Sequence, residues 1–178
     1  MFKHMRKLTK YLLAVCFLAT GMQTYAVAEE AHDAHEVHDG PSMFFTLGPV
    51  LDRSLTDKKT TYGSSVGLEF TAIEHQLEIE VGAQYLSSSS PRVLGGVILF
   101  KKPFELSHGV ELEIGLGPSI SRKISPSGGW QSGITFSPEL MIWPTKKIGW
   151  YISSEYNRGL GKEAEKSVGF SIGLLFPI

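Results

Sequence analysis

Seven glutamates fall on the polar face of the strands predicted below. They are Glu69, Glu78, Glu80, Glu111, Glu113, Glu139 and Glu155. Unpaired buried charge is costly, so such a cluster must be hydrated, protonated, paired or bound to a cation. The simplest interpretation is a water-filled, partly protonated interior, with occasional pairing to Arg or Lys from turns. The alternative is a cation site, in which carboxylate oxygens would suit Ca²⁺ or Mg²⁺.

A second set of candidate ligands precedes the strands. It consists of histidines with the spacing His-x-x-His-x-x-His, interleaved with acids: His32, Asp33, His35, Glu36, His38 and Asp39. Neutral imidazoles can chelate a divalent transition metal such as Zn²⁺, Ni²⁺ or Cu²⁺. An ordinary polar linker is the alternative. The hypothesis is weak metal binding through His32, His35 and His38, with no other cofactor. Affinity should fall below pH ~6, as the imidazoles take up protons.

Enzyme chemistry finds little support in the sequence. Ser–His hydrolysis needs the two side chains within hydrogen-bond reach. Ser107 and His108 are adjacent in sequence, and neighbouring residues of a strand point to opposite faces. The sequence contains no nucleophile elbow, phosphate loop or deaminase-type metal motif. We therefore predict a non-catalytic protein, with a lipid-modifying enzyme as an alternative.

Runs of alternating residues supply the elements that must position the glutamates. The clearest runs are Gln76–Tyr85, Gly109–Ser121 and Ser167–Phe176, where large apolar residues alternate with Gly, Ser, Gln or Glu. Strict alternation puts one set of side chains on each face of a strand. Five weaker runs lie at regular spacing: Met43–Asp52, Thr61–Ala72, Arg92–Lys101, Gly133–Trp143 and Gly149–Arg158. The register of Arg92–Lys101 is open, because that run is apolar on both faces.

Eight runs of about ten residues with short connections favour an up-and-down meander. An even strand number lets the sheet close with both termini at one end, and closure removes exposed strand edges. Residues 42–178 are therefore predicted to form an all-β fold, a closed eight-stranded antiparallel β-barrel.

The composition of the two faces distinguishes a membrane barrel from a soluble barrel or sandwich. A soluble barrel turns large apolar residues inward and covers its outer face with charge. Here the polar face is mostly Gly, Ser, Gln and Glu, and lysines fall at strand ends. Small residues suit the crowded lumen of an eight-stranded barrel. We therefore predict a transmembrane barrel, with a soluble β-domain as the alternative.

Aromatic residues near the strand ends support this prediction. They are Tyr62, Tyr85, Trp130, Trp143, Trp150, Tyr151 and Tyr156. Membrane barrels carry aromatic girdles at the heights of the two interfaces. The alternative is that aromatics are common in any strand.

The N-terminus predicts export. Residues 1–28 combine a basic segment, a short apolar core and Ala26-Val27-Ala28, which is typical of a signal-peptidase site. A lipoprotein at Cys16 fits less well, because Val15 is bulky and the apolar core continues past the cysteine. Residues 29–41 are predicted to be a flexible His-rich tail. Without the signal peptide, 13 bases oppose 18 acids, a net charge of −5 that disfavours nucleic acid as a partner.

The last residues, Ser171-Ile-Gly-Leu-Leu-Phe-Pro-Ile178, resemble the C-terminal signal of outer-membrane barrels. This resemblance implies outer-membrane lipid and the outer-membrane assembly machinery as partners. The predicted barrel resembles the small OmpA/OmpX-type group in architecture. In addition, Gly115-Leu-Gly-Pro118, Leu140-Met-Ile-Trp-Pro144 and Gly149-Trp-Tyr151 resemble a family of bacterial hypothetical proteins, which supports the fold and supplies no chemistry.

Topology assigns the two ends of the barrel. Both termini should be periplasmic, with turns near Ile73–His75, Pro103–His108 and Pro144–Lys147. Short outward loops are predicted at Arg53–Thr60, Ser87–Pro91, Arg122–Gly129 and Gly159–Glu165. The predicted function is a non-catalytic outer-membrane β-barrel of a Gram-negative envelope, with a structural or interaction role. A periplasm-facing divalent-metal-binding accessory protein is the main alternative.

Overall fold

The computed structural model describes residues 42–87, 92–125, 128–161 and 164–178. Eight strands follow one another: β1 (Met43–Ser54), β2 (Thr60–Ile73), β3 (Leu77–Leu86), β4 (Arg92–Ser107), β5 (Val110–Ile124), β6 (Trp130–Thr145), β7 (Ile148–Gly159) and β8 (Lys166–Pro177). Neighbours in sequence pair antiparallel, and β8 closes on β1. The prediction of a closed eight-stranded up-and-down barrel is confirmed. Within the described residues there is no helix long and apolar enough to cross a membrane.

The predicted signal peptide, residues 1–28, and the predicted tail, residues 29–41, lie outside the described residues. The same holds for the candidate ligands His32, His35 and His38. Metal binding by the tail therefore stays a prediction.

The two ends of the barrel differ in the length of their connections. At one end, here called the terminal end, β1 begins, β8 ends, and the turns have three, two and two residues. Gly109 in the second turn has a φ of +72°, which glycine adopts without strain. At the opposite end, here called the loop end, the connections have five, five, five and six residues. Short turns on one side and longer loops on the other are typical of outer-membrane barrels.

Strand β4 is longer than the alternation predicts. The segment Pro103–His108 is predicted as a turn, but β4 continues to Ser107 and the turn is only His108–Gly109. Pro103 pairs with Glu113 of β5, whereas the pairing of β4 with β3 stops at Lys101. Pro103 thus lies where β4 has one neighbour, so its missing N–H interrupts no second ladder. The prediction that β4 ends before Pro103 is therefore wrong.

The outer surface of the barrel is apolar and its interior is polar. Val81, Leu116, Phe170 and Ile172 are exposed, at 44–56% of their maximal area. Other residues of the same faces are partly exposed: Leu77, Ile79, Leu112, Ile114 and Leu174. In contrast, Glu78 and Glu113 are buried, and Glu80 and Glu111 are partly buried. This is the pattern predicted for a membrane barrel, and the reverse of a soluble one.

The structure also fixes the register of β4. Leu99 and Lys101 are buried in the lumen, whereas Leu94, Ile98 and Phe100 are exposed on the outside. The odd positions of this strand therefore face inward.

The aromatic girdle contains fewer residues than predicted. Tyr62, Trp130, Trp150 and Tyr156 are exposed on the outside near strand ends, and Tyr85 is partly exposed there. Trp143 and Tyr151 face inward, and their assignment to the girdle is wrong. They pack with the buried side chains Phe44, Met141 and Leu175. The reason is parity: both share a face with lumen residues of their own strands, and position along a strand does not reveal the face.

A glycine permits the close approach of β4 and β5. A Cβ atom on Gly117 would lie 1.8 Å from the carbonyl oxygen of Ile98, a backbone atom that cannot turn aside. A Cβ on Gly96, in contrast, would meet nothing closer than a methyl group of Ile120 at 3.6 Å, which is ordinary contact.

We expect Gly117→Ala to lower the free energy of unfolding by about 1–3 kcal/mol, because the strands must separate to admit the methyl group. Gly96→Ala should change it by less than about 0.5 kcal/mol. Urea unfolding of both variants in lipid vesicles, followed by tryptophan fluorescence, measures the difference. Equal stability of the two would show that the close approach is not a constraint.

Candidate functional site

A single lysine lies at the centre of the lumen, among four glutamates. The Lys101 Nζ atom is 2.6 Å from Glu69 Oε2, 2.8 Å from Glu113 Oε2, 2.9 Å from Glu80 Oε2 and 3.2 Å from Glu139 Oε1. The side chains of Lys101, Glu69 and Glu113 are fully buried. We call these five residues the Lys101 cluster.

Strand register brings the cluster together from five adjacent strands. Glu69 of β2 pairs with Glu80 of β3, and Glu113 of β5 pairs with Glu139 of β6. Lys101 of β4 lies between these two pairs, opposite Gly115 of β5. All five occupy lumen-facing positions, so they form one layer across the barrel.

Glycines make room for this layer. A Cβ on Gly115 would lie 3.0 Å from Cγ of Lys101, against the stem of the lysine. A Cβ on Gly67 would lie 2.9 Å from Glu80 Oε1 and 2.6 Å from Thr46 Oγ1. The small residues on the polar face therefore leave room for the long charged side chains. This agrees with the predicted crowding of the lumen.

The cluster has more negative than positive groups. An ammonium group has three N–H donors, and here it faces four carboxylates. Lys101 donates to Glu69 and Glu139 and is ion-paired with Glu113 Oε2, while Oε1 of Glu113 and Oε1 of Glu69 are buried without a hydrogen-bond partner. Burial of such groups is costly. The excess charge must therefore be balanced by protons, water or a cation.

Lys101 was not identified from the sequence. The prediction places lysines at strand ends and takes any base for the glutamates from turns. In the structure, the base comes from the interior of β4, nine residues after its first residue. Extending the alternation of β4 through Pro103 would have placed Lys101 on the lumen face with Leu99.

The other three predicted lumen glutamates also face inward, but at different heights. Glu78 lies close to Glu69 and Glu113: one carboxylate oxygen from each of the three lies within 4.8 Å of the other two. Glu111 lines a cavity at the terminal end. Glu155 lies on the loop side, where Asn157 Nδ2 donates to it over 3.5 Å. Four of the seven glutamates thus form one layer around Lys101, and the other three lie above or below that layer. The seven do not form a single site.

Two separate cavities occupy the two halves of the lumen. The loop-side cavity, about 220 Å³, is lined by Glu80, Glu139 and Tyr151 among others. The terminal cavity, about 770 Å³, is lined by Glu78, Glu111 and Trp143 among others. Among the described residues none lines both, and Lys101, Glu69 and Glu113 line neither. The cluster is therefore part of a wall between the cavities.

Apolar and hydroxyl side chains complete this wall. Phe44 meets Trp143 edge to face, with ring centroids 5.5 Å apart. The Tyr151 hydroxyl is 3.4 Å from Ser65 Oγ, and the hydroxyls of Ser153 and Ser171 are 2.6 Å apart. These contacts link β1, β2, β6, β7 and β8, so they extend the wall to β1, β7 and β8, the three strands that the Lys101 cluster does not include.

Comparison with solved structures identifies the architecture. Neisserial surface protein A aligns with a TM-score of 0.62 and 13% identity, over 77% of this chain and 97% of that one. Ail of Yersinia pestis aligns at 0.57 and 11%, over 76% and 97%. The N-terminal β-barrel domain of Pseudomonas aeruginosa OprF aligns at 0.54 and 16%, over 77% and 99%. The chain has the fold of a small outer-membrane β-barrel.

This result confirms the predicted fold and the resemblance to small outer-membrane barrels. No protein-family model matches the chain, and neither does any curated protein. The more particular resemblance to a bacterial family therefore stays a prediction.

Removal of the central charge should destabilise the barrel. We expect Lys101→Met to lower the free energy of unfolding by about 3–5 kcal/mol, because buried carboxylates lose their counter-charge. Lys102→Met is the matched control, since Lys102 is exposed on the outside, and its effect should stay within about 0.5 kcal/mol. Urea unfolding in lipid vesicles measures both.

A second variant separates charge from packing. Lys101→Met combined with Glu69→Gln and Glu113→Gln removes two of the uncompensated charges and keeps the side-chain volumes. We expect it to recover part of the lost stability. If the triple variant is no more stable than Lys101→Met, the stability lost in Lys101→Met comes from packing alone.

Proposed function

We propose that this chain is a non-catalytic outer-membrane β-barrel with a structural or interaction role in the cell envelope, and not a channel. The observation that carries the proposal is the wall formed by the Lys101 cluster between the two cavities. An eight-stranded barrel has little interior space, and here side chains fill its middle.

The outer surface supports a membrane location. Exposed Leu, Ile, Val and Phe side chains cover the barrel, which suits hydrocarbon and would be unfavourable in water. The turn lengths favour a periplasmic terminal end and an external loop end. The last strand, β8, is the segment that would present the proposed assembly signal to the outer-membrane machinery.

Positions of the hydroxyls and imidazoles support a non-catalytic role. Ser65, Ser153 and Ser171 contact a tyrosine, another serine or a backbone carbonyl within the lumen. His75 and His108 lie in turns at the terminal end. A Ser–His pair on the lipid-facing wall is what a lipid-modifying enzyme of this kind would need.

The closed lumen can be tested by electrical recording. We expect the purified protein to give no steady ion conductance in planar bilayers. Lys101→Ala combined with Glu113→Ala removes two side chains from the wall and should allow measurable conductance, whereas Lys102→Ala should not. Steady conductance of the unmodified protein would contradict the proposal.

A periplasm-facing divalent-cation-binding accessory protein is the second candidate. It is favoured by the group formed by Glu69, Glu78 and Glu113, whose ligand oxygens lie within 4.8 Å of one another. Buried oxygens of all three have no hydrogen-bond partner. Glu78 also lines the terminal cavity, which gives a path from solvent. Carboxylate oxygens at this spacing suit Ca²⁺ or Mg²⁺.

Calorimetric titration with Ca²⁺, Mg²⁺ and Zn²⁺ tests this candidate. Glu78→Gln should weaken Ca²⁺ binding about tenfold or more, because even changes outside the ligand shell cost that much. Glu105→Gln is the control, since Glu105 lines the same cavity but lies outside the group. Deletion of residues 29–40 should weaken Zn²⁺ binding only. No heat with any of the three ions would refute the candidate and the hypothesis of a His-tail site.

A further inference from the structure

Charge is separated between the two faces of the strands. Within the described strands, every acid occupies a lumen-facing position: Asp52, Glu69, Glu78, Glu80, Glu105, Glu111, Glu113, Glu139 and Glu155. The outward positions hold six bases: Arg53, Arg92, Lys102, Arg122, Arg158 and Lys166. On the outward face of the described strands, every charged residue is therefore basic.

Five of these six bases lie at the loop end. Each is at, or within two residues of, the loop-side end of its strand. We call this set the loop-end belt: Arg53, Arg92, Arg122, Arg158 and Lys166. The sixth base, Lys102, lies nearer the terminal end, where its Nζ donates to the carbonyl oxygen of His75 over 3.0 Å.

One half of the belt places like charges side by side. Arg158 of β7 is directly opposite Lys166 of β8, and Arg53 of β1 is opposite Val168, the next outward residue of β8. Like charges directly opposite each other destabilise a sheet. The neighbouring acid Glu165 is bound to Lys123, an inward-facing lysine. Among the described residues no ion pair reaches Arg158 or Lys166, and an anion from outside the chain would offset their repulsion.

The other half of the belt lies across the barrel. Arg122 of β5 is opposite Leu94, and Arg92 is the next outward residue of β4. The Arg122 guanidinium also lies 5.6 Å from the ring centroid of Trp130, its partner on β6. Tryptophan at a membrane interface lies at the height of the lipid head groups.

Immediately below both halves the outer surface is apolar. Val168 and Phe170 follow Lys166 on β8, and Leu94 and Ile98 follow Arg92 on β4, all of them exposed. An anion bound to the belt would therefore extend apolar chains along this wall. A phosphorylated lipid has both parts. Guanidinium groups bind phosphate oxygens in pairs, and the acyl chains suit the apolar wall.

We infer that the loop-end belt binds the phosphate groups of phosphorylated lipids in the leaflet that surrounds the loop end. This inference rests on the proposed membrane location. The two halves of the belt lie on opposite sides of the barrel, so each half can bind at least one lipid molecule. The acyl chains lie against the apolar wall, and the phosphates lie between the basic side chains.

Native mass spectrometry of the protein purified from membranes tests the inference, with lipid A as the phosphorylated lipid and dephosphorylated lipid A as its control. Arg158→Gln with Lys166→Gln removes two charges from the belt. Lys102→Gln with Lys147→Gln removes two from the opposite end. Each basic group near an anionic surface contributes about a fivefold preference. The belt variant should therefore bind lipid A about 25-fold more weakly at the half of the belt formed by Arg53, Arg158 and Lys166. Its mass spectrum should lose one bound lipid A relative to the unmodified protein, and the control should keep it.

Two outcomes would overturn the inference: equal binding of lipid A by the two variants, or equal binding of lipid A and its dephosphorylated form by the unmodified protein. Insertion is measured separately, by protection of the barrel from protease in lipid vesicles. A protein that inserts but does not distinguish the two lipids refutes only the inference. A protein that does not insert refutes the proposed membrane location.

Discussion

The contact of one lysine with four carboxylates is the interaction on which the interior of this barrel depends. Glutamates from β2, β3, β5 and β6 would repel one another across a narrow lumen if the Lys101 ammonium were not between them. In the low-dielectric interior both the repulsion and the attraction are stronger than in water. The cluster therefore joins five consecutive strands through the middle of the barrel, in addition to their backbone ladders.

This interaction constrains the residues around it. A side chain at Gly67 or Gly115 would crowd Glu80 or the stem of Lys101, which would have to shift to admit a Cβ. Met141 of β6 and Tyr151 of β7 turn inward and complete the closure. The same residues that exclude a continuous pore also leave a cavity on each side. The lumen is therefore divided into two separate cavities.

The charge on the two faces follows from the two solvents of a membrane barrel. Acids gather in the lumen, where Lys101, hydroxyls and water can stabilise them. Bases gather outside at the loop end, where their long side chains reach the polar head groups. This separation supports the proposed contact with anionic lipid and makes the outer wall electrostatically unfavourable for a basic partner.

The amino-acid sequence alone determined the number of strands, the closed topology and the two faces, because alternation with a period of two is a local property of the chain. It also determined that the seven glutamates face the lumen. It did not determine that Lys101 is their partner, since Pro103 obscured the continuation of β4. The inward positions of Trp143 and Tyr151 were missed because the prediction used their nearness to strand ends. Which glutamates meet one ammonium group, and which bases adjoin on the outer wall, was decided only by the register between strands, which depends on pairings distant in sequence.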